Sequence, residues 1–427
     1  MSYNLPHELV VQVIQSLDPD SDQRELSALA LLSRSLATIV RHHCMKRITL
    51  GRTGGEERCR TLWALVEKEA SISHAIRFLT LHDDSSTGNE AQPLPSGGWL
   101  TTDEQYTFLP QLLNSLDALV SLEVRSLRLD WSWVTEPVQD ALICLFAAPT
   151  LTKLTLHGLV EMELTPLMDC PNLRHLCLLN VSMAEADMGP AEEEDGDDDR
   201  SSSVGALEIL EYREAERALQ ALIPNLQRRD SRLTLNSLKR LVVTLKSSSS
   251  LESTLKTANL LAGPCLREVR VEVEATAHTF TLQEANLLCG FMKQPGLTVF
   301  ELAISFRGMS LSWMHPVVEA IVSMSSLQTL RLELIQLAPA FNPFPKGHSS
   351  HRSPPPGTLF QAGFWSGLGA LSELRRLERV VLVFNGRLRA LPGYTTARQC
   401  LQAHLPALFS RNNILIDIDW YATIHHY

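Results

Sequence analysis

The residues in this chain whose types and spacing could support chemistry are few. His42-His43-Cys44 and His425-His426 place metal-ligating side chains next to one another in sequence. Adjacent residues of a helix point about 100° apart, so His42 and His43 cannot meet on one ion without a third element. Surface or helix-end histidines are the plainer reading, and the pair at 425–426 is expected to fray. Asp417 and Asp419 alternate with Ile416, Ile418 and Trp420, which puts both carboxylates on one strand face. A carboxylate pair is the equipment of glycoside hydrolysis, and the same pattern is also the polar face of an ordinary last strand. The eight cysteines (44, 59, 144, 170, 177, 265, 289 and 400) form no Cys-x-x-Cys pair, and most sit beside Leu, Ile or Val, as in Leu142-Ile143-Cys144-Leu145. They read as buried, reduced thiols of an intracellular protein. There is no Gly-rich phosphate loop, no His-Glu-x-x-His and no Gly-x-Ser-x-Gly elbow. The expectation is a chain without catalytic residues, metal or cofactor.

The bulk properties agree. A chain of 427 residues exceeds one ordinary compact domain, so several domains or an elongated array is expected. The formal charge of −10 argues against nucleic acid and anionic membrane as partners. The first residues lack a signal-peptide core, and no stretch reaches the roughly 18 uncharged apolar residues of a membrane helix. The expected location is intracellular, in cytoplasm or nucleus.

The elements follow from periodicity. Leu5-Pro6 opens a helix in which Leu9, Val13 and Leu17 recur every fourth residue and Val10 with Ile14 widens the stripe. Asp18-Pro19-Asp20-Ser21-Asp22 ends it. A second helix is expected from about Gln23 to Leu32 and a third from about Arg34 to His43. The stretches Leu5 to Leu17 and Leu26 to Leu36 carry more apolar surface than a pair of helices so small can hide in each other, which marks a docking candidate.

Beyond residue 75 one pattern recurs: apolar, two polar, apolar, any, apolar. Examples are Leu151-Thr152-Lys153-Leu154-Thr155-Leu156, Leu173 to Leu178, Leu238 to Val243, Leu266 to Val271, Leu327 to Leu332 and Leu377 to Leu382. Starts are separated by 22 residues (151 to 173), 31 (207 to 238) and 28 (238 to 266). A strand followed by a helix at nearly constant pitch is the signature of a leucine-rich solenoid. The expected fold is therefore α/β. It has a short three-helix domain over 1–50, a linking helix region over 51–74 and an irregular leucine-rich array over 75–427. Parallel strands would line the concave face, with helices outside. Two insertions interrupt the array: an acidic loop, 185–203, and a Pro/Ser/His-rich loop, 339–357. Trp131, Trp133, Trp313 and Trp365 fall in connecting segments, as hot-spot residues or as wedges between repeats. The concave positions Lys153, Thr155, Arg174 and His175 are mixed and name no ligand class.

The opening residues resemble the F-box. The resemblance is carried by Leu5-Pro6-x-Glu8-Leu9, Val13-Ile14-x-x-Leu17 and Leu29-x-Leu31-Leu32-Ser33-Arg34-x-Leu36. Leu32 and Leu36 stand where that family commonly has Val and Trp. The chain is also similar to the F-box proteins of mushroom-forming fungi, in which a degenerate leucine-rich array follows directly. Arg41-His42-His43-x-x-Lys46-Arg47-Ile48-Thr49-Leu50 and Cys170-Pro171-Asn172-Leu173-Arg174-His175-Leu176 carry that likeness. The resemblance implies a non-catalytic substrate adaptor of a cullin–RING ubiquitin ligase. Its F-box would dock on a Skp-type adaptor, and through it a cullin, while the array holds a protein target of unknown identity. It also implies that Leu5, Pro6, Leu9, Ile14, Leu31 and Leu32 supply the adaptor contact or hold the helices that make it, with Ser33 and Arg34 near the rim. A leucine-rich scaffold whose helices merely cap the array is the alternative, and an enzyme with an unrecognised site a further one.

Overall fold

The computed structural model describes residues 7–19, 21–51, 55–83, 99–101, 108–163, 165–183, 205–226, 233–246, 251–274, 282–294, 296–305, 314–337, 368–386, 402, 405–411 and 413–422. The insertions at 185–203 and 339–357 lie outside the described residues, as do Leu5, Pro6, Trp313, Trp365, Cys400, His425 and His426. The chain has the α/β architecture expected from its repeats: helices first, then parallel strands in sequence order with helices between them. It divides into two compact units, residues 1–205 with 228–233 and residues 206–227 with 234–427.

The first unit opens with α1 (His7–Ser16), α2 (Gln23–Leu32) and α3 (Arg34–Met45). Their shared core is Ile14, Leu26 and Val40, with Val10, Leu17, Leu29, Leu36 and Ile39 packed against it. Ser33 separates α2 from α3. Its extended backbone stops one helix, and its Oγ accepts the Leu36 N–H at 3.1 Å to cap the next. In the turn before α2, the Asp22 carboxylate accepts the Asp18 N–H at 2.8 Å.

Strands β1 (Arg47–Gly51), β2 (Phe78–Asp83), β3 (Ser121–Asp130), β4 (Lys153–Val160) and β5 (His175–Leu179) then pair in parallel, each with the next. Between them, α4 (Gly55–Lys68), α5 (Ser71–Ala75), α6 (Phe108–Asn114), α7 (Glu136–Phe146) and α8 (Thr165–Met168) supply the covering helices. The leucine pattern becomes a ladder: Leu79, Leu122, Leu154 and Leu176 are register partners, as are Leu81, Val124, Leu156 and Leu178, and all are buried.

The first leucine of each repeat precedes its strand, so strands begin about two residues later than the pattern suggests. Leu151 sits in a turn, its N–H on the Ala148 carbonyl, yet it is buried. The next two N–H groups, of Thr152 and Lys153, both donate to Val120 O, at 2.9 and 3.1 Å. The same fork recurs from Arg77 and Phe78 to Lys46 O and from Arg174 and His175 to Thr152 O. One carbonyl thus locks each repeat to the next and fixes the register.

β3 carries extra residues. Its pairing jumps from Arg125↔His157 to Leu129↔Leu159, leaving the bulge Ser126 to Arg128 opposite Gly158. Gly158 has φ +70, and a Cβ there would lie 2.1 Å from Ser126 O, so the bulge requires glycine.

In the second unit β7 (Ile209–Arg213) leads a parallel series; the two-residue strands β6 (Gly205–Ala206) and β8 (Leu233–Thr234) fall at the chain positions where the two units divide. The series continues with β9 (Arg240–Lys246), β10 (Glu268–Glu274), β11 (Val299–Ser305), β12 (Thr329–Leu337), β13 (Arg379–Gly386) and β14 (Leu415–Ala422). Helices α9 (Glu216–Leu226), α10 (Leu251–Leu261), α11 (Leu282–Met292) and α12 (Met314–Val322) pack against one another in chain order. Leu210, Leu241, Val269, Phe300, Leu330 and Val380 form its buried ladder. The entry fork repeats here too, from Arg267 and Glu268 to Lys239 O and from Gln328 and Thr329 to Thr298 O. Buried Tyr212 donates to Thr254 O at 2.9 Å, and burial, then the nearby Glu216 carboxylate, push its phenol well above the ordinary range.

Candidate functional site

The expected site residues fall into two groups. Leu9 (45 % exposed), Leu31 (88 %) and Leu32 (71 %) stand in solvent, although each belongs to a well-formed helix. Ile14 is 0 % exposed at the centre of the helical core. It therefore cannot touch an outside protein, and of the two roles expected of it only that of holding the helices fits. Val13, 49 % exposed, was not among the expected contacts. Its signal was the four-residue spacing from Leu9, which places both on one side of α1. α1 is apolar on so many positions that periodicity leaves its packed side open. The contacts to α2 and α3 choose Ile14 and leave Leu9 and Val13 outside.

The histidine run is held apart. His43 Nε2 donates to the Leu17 carbonyl at 2.9 Å, tying α3 to the end of α1. His42 Nε2 lies 3.4 Å from Ser71 Oγ. Beside them Arg41 pairs with Glu69 at 2.9 Å. Arg41 and His42 thus reach the Glu69–Ser71 segment, while His43 reaches the end of α1. Among the described residues no group of three His, Cys, Asp or Glu could hold a metal ion. Burial holds the Cys44 thiol above its ordinary value, and pushes Cys59 and Cys170 up to about 12. Cys144 and Cys265 are exposed.

The carboxylates at the last strand also have a structural partner. Asp417 accepts from Arg379, Nε at 2.8 Å and Nη2 at 2.6 Å. The side chain of Asp419 lies outside the described residues. Of the tryptophans, Trp131 is buried and Trp133 exposed, and Asp130 caps the turn that carries them by accepting the Ser132 N–H at 3.0 Å.

A cavity of about 730 Å³ opens between the three helices and the strand entry. Leu17, Leu26, Val40, Cys44 and Phe78 give it an apolar wall; Lys46 and Arg47 stand over the Phe78 ring at 5.9 and 5.4 Å. Its imidazole, His43, is already committed to Leu17 O, and Ser16, Asp18 and Ser27 add polar groups to the lining beside the two cations. No helix of the described residues is long and apolar enough to cross a membrane. No protein-family model matches the chain, and a comparison with curated proteins found no match.

Proposed function

We propose that the chain is a substrate-recognition subunit of an SCF-type cullin–RING ubiquitin ligase, its N-terminal helices docking on a Skp-type adaptor and its strand-bearing units holding a protein target. The observation that carries this reading is the apolar set Leu9, Val13, Leu31 and Leu32, left in water by helices whose core is already closed by Ile14, Leu26 and Val40. Leucines that add nothing to the internal core supply free energy only when a partner covers them, at about 25 cal/mol per Å². The F-box-like spacing of these same residues supplies the identity of the partner. The work is then intracellular, and no bond chemistry falls to this chain.

The test is co-purification. Leu9→Asp with Leu32→Asp is expected to abolish capture of a Skp-type adaptor from fungal extract while the strand-bearing units stay folded. Unchanged capture would sink the reading.

A scaffold without ligase association is the second reading, and one observation favours it. The helical segment is fastened to the entry of β2 by the Lys46 carbonyl, which accepts from both Arg77 and Phe78, and to the end of α4 by the Arg41–Glu69 pair. An end cap for a repeat array needs that attachment. A cap predicts no adaptor or cullin peptides in the same pull-down.

A further inference from the structure

We propose that the cavity between the three helices and the strand entry binds a small amphipathic acid, an aliphatic tail carrying one carboxylate. The inference goes beyond the docking reading above and does not depend on it.

The cavity joins two kinds of surface. Its floor is the core of the helical segment itself. Leu26 and Val40, both buried, belong to the set that closes the three helices on one another, and Leu17 and Phe78 continue the apolar wall. Its rim is polar: Ser16, Ser27, Lys46 and Arg47 line it from exposed positions. A volume of about 730 Å³ falls within the range of small-molecule sites. An aliphatic tail that takes the place of water against Leu, Val and Phe side chains gains affinity with every CH₂ it buries. The tail therefore belongs on the floor and the head at the rim.

The charges select the head. Lys46 Nζ and the Arg47 guanidinium stand over one ring, that of Phe78, at 5.9 and 5.4 Å. Among the described residues neither side chain takes part in an ion pair or a hydrogen bond. The cations beside them in sequence are already held: Arg41 by the Glu69 carboxylate at 2.9 Å, and Arg77 by the Ala118 carbonyl at 2.9 Å. Asp18 is the one carboxylate of the described lining, and it has contacts of its own. Two cations against one carboxylate leave a single positive charge in excess at the rim. A monoanion matches that excess, whereas a polyanion would meet Asp18 and a cation would meet Lys46 and Arg47. The Ser27 hydroxyl adds a neutral donor for a carboxylate oxygen.

The test is isothermal titration calorimetry of the full chain with hexanoate, octanoate and decanoate, each below its micellar concentration. Kd should fall about fourfold for each CH₂ added. Lys46→Gln with Arg47→Gln should weaken decanoate about tenfold or more. Ser27→Trp, which fills the cavity from an exposed position, should weaken it by a similar factor, and Lys256→Gln, on α10, should change nothing. If the double variant melts early, Lys46→Gln alone carries the test, with a weakening of about threefold. Decyltrimethylammonium, the same tail on a cation, should bind at least about tenfold more weakly than decanoate. A Kd that does not fall with chain length, equal or tighter binding of the cation, or parent-like binding by Ser27→Trp would each overturn the proposal. Leu9→Asp with Leu32→Asp removes exposed leucines that are not part of the lining and should keep decanoate within about threefold of the parent. Loss in that variant would place the tail on the outer leucines and overturn the proposal as well, while capture of the adaptor is read separately.

Discussion

Replacing Leu31 and Leu32 together by Gln separates docking from folding. Both leucines lie in the last turn of α2, where an aspartate would oppose the helix dipole; Gln matches Leu in helix propensity and adds no charge. With 88 % and 71 % of their surface in water, neither contributes appreciable burial to the folded chain, so unfolding stability should change by less than about 0.5 kcal/mol. Covering a whole leucine contributes about 1.5–3 kcal/mol, and scaling by the exposed fractions leaves about 2–5 kcal/mol for the pair on docking. The cost of association is common to parent and variant and cancels in the difference. Titration calorimetry against a Skp-type adaptor should therefore show Kd rising about 30-fold to a few thousand-fold. Ile14→Ala is the counterpart. It removes buried carbon at the centre of the helical core and should cost about 2–5 kcal/mol. At about 2–4 °C per kcal/mol for a unit of this size, calorimetry should find Tm lowered by about 4–20 °C. If the Leu31, Leu32 variant loses more than about 2 °C, the leucines belong to the fold. If it binds within about threefold of the parent, they are not the interface. Either result refutes the reasoning.

Two further outcomes follow from the geometry. Gly158→Ala should destabilise the first unit by about 2 kcal/mol or more, since its φ of +70 and the Ser126 carbonyl leave no room for a Cβ; Gly290→Ala, in α11 with nothing within 4 Å, should stabilise by up to about 1 kcal/mol. Opposite shifts in Tm check both. Native alkylation at pH 8 should label Cys144 and Cys265 and spare Cys59 and Cys170, whose thiols are pushed up to about 12. Because the ordinary value is 9.0, the unfolded chain releases those protons first as pH rises. Their stabilising contribution is full below pH 9 and falls as pH climbs towards 12, which denaturant melts across that window would show.

Much of the fold is legible in the chain. Leu151-x-x-Leu154-x-Leu156 and its relatives announce a strand with one buried side, because a strand's side chains alternate and only one set meets the helices. Asp18 to Asp22 announces a turn, and α2 spans Gln23–Leu32, the residues expected of the second helix. Strand starts were less legible. The first leucine of each repeat is as apolar as the rest but lies in the turn, where the paired N–H groups behind it grip the neighbouring carbonyl. Ser33 reads as part of a motif by its position, and the structure adds its work as the cap of α3.

The sequence by itself determined the kind and order of elements, because periodicity and turn chemistry are local properties that each segment carries alone. Only the tertiary structure decided which side of α1 is spent on the core, since Leu9, Val10, Val13 and Ile14 are equally apolar and the choice is made by what α2 and α3 present to them. It alone also decided which charges are matched. Lys153 lies beside His175, and Arg270 beside Glu301, only through strand register, which joins residues 22 and 31 positions apart that no local pattern connects.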